Sequence, residues 1–107
     1  MDFQIRFQGF ETSGPLREHA ELLVLAHLGR FRSELTQVSV VLGRRTGVSR
    51  PTEVRCEITA TGPHLPGTTV DHRGLSAFPA ISLAIQRAAR AVRHDLGRRG
   101  RRRRRWD

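Results

Sequence analysis

Arginine is the residue type whose number and spacing point to chemistry in this chain. All 19 Lys-or-Arg positions are Arg, and seven of them fall in residues 98–107. Ahead of that run, Arg87, Arg90, His94 and Arg98 recur three or four residues apart, with Arg93 beside them. A guanidinium carries five N–H donors in a flat fork that matches phosphate oxygens and stacks on bases, so such a pattern attracts a polyanion, nucleic acid first. The candidate RNA contacts are Arg87, Arg90, Arg93, His94, Arg98 and Arg99. Arg44, Arg45 and Arg50, on a polar segment punctuated by Gly and Pro, form a basic finger able to reach a second stretch of backbone.

Covalent and metal chemistry find little support. Cys56 is the one cysteine, at an inward position between Val54 and Ile58, where it reads as a small core residue with no base placed for it. Asp71 beside His72 suggests an oriented base, for which Cys56 would be the nucleophile were it not at a core position. The five His, at 19, 27, 64, 72 and 94, show neither HExxH spacing nor a Cys partner, and no P-loop or GxGxxG occurs. We therefore expect no enzyme, no catalytic or metal site, no cofactor and no small-molecule substrate.

The elements that must position the arginines follow from periodicity. Phe3, Ile5 and Phe7 alternate with Gln4, Arg6 and Gln8, as in a strand with one buried face. Ser13, Gly14 and Pro15 read as a capped helix start, and the helix runs to about Phe31. Its leucines exceed a single stripe, so a second helix is expected to shield one flank. Val38, Val40 and Leu42 mark a second strand, and Val54, Cys56, Ile58 and Ala60 a third. A short edge strand through Thr69, Val70 and Asp71 follows the breakers at 62–67. From Ser76 to Leu96, Phe78, Ile81, Ile85, Ala88, Val92 and Leu96 recur on one side of a second helix, which Gly97 is expected to end.

The resulting order, β-α-β-β-β-α, gives an α+β fold in which two helices cover one face of a four-stranded mixed sheet. The predicted core is Phe3, Ile5, Phe7, Val38, Val40, Leu42, Val54, Cys56, Ile58, Ile81, Ile85 and Val92. With 107 residues and 37% hydrophobic content, one core is affordable. We expect a single domain over 1–97 and an Arg-rich flexible tail over 98–107. The polarity is strong: the formal charge is +9 for the whole chain, whereas 1–97 carries twelve Arg against nine acids. A lone cysteine and the absence of a long apolar run point to the cytoplasm, with no membrane partner.

Three stretches resemble a known family, the bacterial ribosome hibernation-promoting factors and ribosome-associated translation inhibitors, also called sigma-54 modulation proteins. They are ETSGPLREHAELL with Leu16, Arg17 and Glu18; GRF at 29–31 with VSVVL at 38–42; and AISLAIQRAARAVRH at 80–94. The likeness spans roughly 1–96 in element order. It implies binding to rRNA of the small ribosomal subunit in the cleft used by mRNA and tRNA, and inhibition of translation by occlusion as growth slows. The family's recurrent basic positions on the second helix match Arg87, Arg90 and His94. In this likeness the chain is a short form, lacking the C-terminal dimerisation domain of long members.

Two other classes compete. A double-stranded RNA-binding domain shares the three antiparallel strands and the final helix, but its helix begins basic, whereas SAFPA is uncharged and the arginines come late. A protein-interaction domain without RNA binding would use the surplus apolar surface of the first helix.

Overall fold

In the computed structural model, which describes residues 1–9, 13–45 and 52–106 apart from the side chains of Pro66 and 99–106, the chain forms seven elements. They are β1 (Asp2–Gln8), α1 (Gly14–Leu28), a 3-10 turn (Gly29–Phe31), β2 (Gln37–Arg45), β3 (Glu53–Gly62), β4 (Leu65–Gly74) and α2 (Ala77–Trp106). The sheet order is β1-β2-β3-β4, with β1 parallel to β2 and the other neighbours antiparallel. This is the expected mixed α+β sheet, and its handed crossover places α1 on the face that α2 also covers.

Local chemistry explains the boundaries. Ser13 is extended, and its hydroxyl accepts the Leu16 N–H at 3.3 Å, satisfying one of the free donors at the start of α1, while Pro15 sits in the first turn, where no donor is needed. Gly9 has φ +83°, and a Cβ there would collide with the Arg44 carbonyl. Gly62 ends β3 flush against the Glu34 carbonyl, with no room for a side chain.

Alternation delivers the core. Ile5, Val38, Val40, Leu42, Val54, Cys56 and Ile58 point from the sheet to Ala20, Val24 and Leu28 of α1 and Ile81, Ile85 and Val92 of α2, all buried. Phe3 and Phe7 pack against this cluster only partly buried, because β1 lies at the sheet edge.

Two expectations need correction. The edge strand is not a short stretch around 69–71 but ten residues, since an edge position needs no donor on its outer side and so absorbs Pro66 and Gly67. α2 passes Gly97 and continues through Trp106. Among the described residues only Gly9 has a positive φ, so Gly97 adopts no left-handed cap; arginine's high helix propensity carries the helix on. On α1, one flank packs inward through Leu23 as expected, while Leu22 and Leu25 stay 67% and 56% exposed. No helix among the described residues is long and apolar enough to cross a membrane.

Candidate nucleic-acid interface

Burying Ile81, Ile85, Ala88 and Val92 fixes the rotation of α2, and the residues opposite that seam must face solvent. Arg87, Arg90, Arg93, His94 and Arg98 are all exposed there. The stripe read from sequence is thus a real surface. Arg99 belongs to the same helix, its side chain lying outside the described residues, and Arg50 falls on 46–51, also outside them.

Asp95, the one acid in a helix that carries ten Arg, turns out to anchor the stripe. Its Oδ2 accepts the hydroxyl proton of Thr68 at 2.7 Å, tying α2 to β4 at a residue only 6% exposed. That hydroxyl, with His94 and Arg98 nearby, holds the Asp95 carboxyl below the usual carboxylate range, so it stays ionised. Arg87 has a share in the same docking, since its Nη1 donates to the Asp71 carbonyl of β4 at 2.7 Å. One fork donor is therefore committed to the sheet edge.

The sequence reading missed what faces α2 from the other side. His19 meets Phe78 edge-on with centroids 5.0 Å apart, and further along Phe31 shares a cleft with Arg93, so the helices run parallel. Between the end of α1 and the middle of α2, Ala26, His27, Phe31, Gln86 and Ala89 line an open cleft of about 360 Å³ together with Arg30, Arg90 and Arg93. The Arg30 guanidinium lies over the Phe31 ring, 5.2 Å from its centroid. Arg30 escaped notice because it is distant in sequence from the stripe; the surplus apolar flank of α1, implying a neighbouring helix, was the signal that could have found it.

Arg44 and Arg45 lie elsewhere, lining a second cleft of about 340 Å³ with Gln8, Gly43, Arg55 and Arg73 at one end of the sheet's open face. The centre of that face pairs its charges. Register sets Arg55 directly opposite Arg73, a like-charge pair relieved by acids alongside: Arg55 Nε reaches both Asp71 oxygens at 2.9 Å and its Nη2 reaches Glu57 at 3.3 Å, while Arg73 pairs with Glu53 at 3.5 Å. The Arg55 guanidinium beside it holds the Asp71 carboxyl below its ordinary range. Positive charge free to meet a polyanion is thus concentrated on the helix layer, not on the sheet.

The thiol and the His72–Asp71 pair have no catalytic geometry. Cys56 is fully buried and burial pushes its thiol up to about 12, far from a thiolate at neutral pH. Asp71 and His72, adjacent on a strand, point to opposite faces. No group of three or more His, Cys, Asp or Glu side chains able to hold a metal ion occurs among the described residues.

A family model described as "Sigma 54 modulation protein / S30EA ribosomal protein" matches residues 3–100. The fold is similar to that of the Protein Y N-terminal domain of Thermus thermophilus, with TM-score 0.71 and 23% identity over 88% of this chain and 98% of that one. It is also similar to a ribosomal subunit interface protein from Coxiella burnetii, with TM-score 0.68 and 15% identity over 90% and 99%. A sequence comparison with curated proteins finds no significant match.

Proposed function

Because the chain belongs to the sigma 54 modulation protein / S30EA ribosomal protein family, whose members are non-enzymatic ribosome-associated factors, we propose that it binds rRNA of the small ribosomal subunit through its helix layer and inhibits translation by occupying the subunit's working cleft. The observation that carries this reading is the one-sided charge of α2: ten Arg against Asp95, with the described arginines exposed, while Arg55 and Arg73 of the open sheet face are paired with acids. Neutralising phosphates releases counterions, the main source of affinity for a folded RNA surface. The late position of the arginines on α2 separates this reading from that of a duplex-RNA module. Residues 98–107 serve as an auxiliary electrostatic arm that speeds association without choosing the site, acting in the cytoplasm during hibernation.

Arg90→Glu with Arg93→Glu tests the assignment, Arg87 being spared for its bond to β4. The variant is expected to lose co-sedimentation with small subunits and inhibition of cell-free translation while melting like the parent, since exposed charges contribute little to folding. Co-sedimentation at the parent's level would remove α2 from the binding surface.

A further inference from the structure

The cleft between the end of α1 and the middle of α2 carries more than charge, and its composition deepens the RNA-binding reading on which this inference rests. An electrostatic surface for duplex backbone needs only cations. Here three arginines share the cleft with Ala26, Ala89 and an aromatic ring, that of Phe31, which is half-buried against the core and hence fixed in place. Over that ring lies the Arg30 guanidinium. A guanidinium plane braced by an aromatic face is a surface on which an unpaired base stacks, whereas a base inside a duplex presents no free face. Among the described residues no carboxylate lines the cleft to repel a phosphate, and Gln86 adds an amide able to both donate to and accept from a base edge. The volume, about 360 Å³, lies within the usual range of small-ligand sites, about 300–1,000 Å³.

We propose that this cleft takes one unpaired nucleotide of an RNA strand, its base stacked on the Arg30–Phe31 platform and its phosphate held by Arg90 and Arg93. The protein then prefers a bulge, loop or single strand to a paired helix of equal charge.

The test uses the whole chain and two probes with equal numbers of phosphates, a single-stranded oligoribonucleotide with 2-aminopurine at its centre and a blunt RNA duplex. Expected results are quenching of 2-aminopurine emission on binding and tighter binding of the single strand than of the duplex at 150 mM salt. Arg30→Gln is expected to weaken single-strand binding about 5- to 150-fold, the scale of losing one stacked base, and to abolish the quenching, while changing duplex binding less than 3-fold. Phe31→Leu, checked for folding by its melting curve, should behave alike. Unquenched emission with bound RNA, or equal losses on both probes, would overturn the nucleotide site while leaving ribosome binding by the α2 stripe intact. Failure of the unaltered protein to co-sediment with ribosomes or bind either probe would bring down both.

Discussion

Asp95→Ala separates the structural from the binding role of the acid inside the basic stripe. Thr68 is 6% exposed and its hydroxyl donates to Asp95 at 2.7 Å, so removing the acceptor strands a buried polar group. Such a group costs about 1–3 kcal/mol. The Asp95 side chain is 38% exposed, which lets water compensate in part, so we expect about 1–2 kcal/mol. At roughly 4–8 °C per kcal/mol for a domain of this size, the melting temperature should drop by about 4–16 °C at pH 7. The folded protein holds the Asp95 carboxyl below its ordinary value, chiefly through the Thr68 hydroxyl. Its contribution is therefore complete above the unfolded value of about 3.9 and fades as pH falls through the lower folded one, so the two melting curves should converge in acid. In the Thr68→Val background, where no hydroxyl is left stranded, Asp95→Ala should cost under about 0.5 kcal/mol. Ribosome affinity at 25 °C should hold or rise, because one negative charge leaves a cationic face. Thermal melts of the four proteins, with co-sedimentation, decide the matter: an unchanged melting temperature, or the same cost in both backgrounds, refutes the anchoring role.

Truncation after Gly97 removes seven Arg and should reduce the slope of log affinity against log salt by up to about 5, with the rRNA footprint kept; a footprint that moves would make the arm a recognition element. Cys56, with its thiol pushed up to about 12, should resist thiol reagents in the native protein and react fully in denaturant; rapid native labelling would mean that the sheet opens readily.

Much of the fold was legible because its elements keep strict periods. Val38 to Leu42 and Val54 to Ala60 alternate cleanly, and α2 repeats its buried residues every three or four positions. β4 was harder to read, since Pro66 and Gly67 signal a break wherever a strand has two neighbours, and only sheet order reveals that this one has a free edge. The same distinction governs the site. Arg87, Arg90 and His94 share one helix and announce themselves by spacing, whereas Arg30 joins Arg90 and Arg93 only after the parallel packing of two helices is known. Arg55 and Arg73 look available in sequence, yet strand register commits both to neighbouring acids.

The parallel course of α1 and α2 has an electrical meaning. Each helix follows a strand, β1 or β4, and those strands run the same way, so both helices must point their C-termini toward the same side of the sheet. Aligned peptide dipoles leave about half a negative charge at each such end. A negative pole disfavours an anion; a cation placed at one is stabilised by about 0.3–1 kcal/mol. Arg30 stands just beyond the end of α1, and the arginine-rich run 98–105 occupies the last turns of α2. A concentrated basic pole is in this way something the topology tolerates even without RNA, and reversing either helix would make the same arginines a liability to folding.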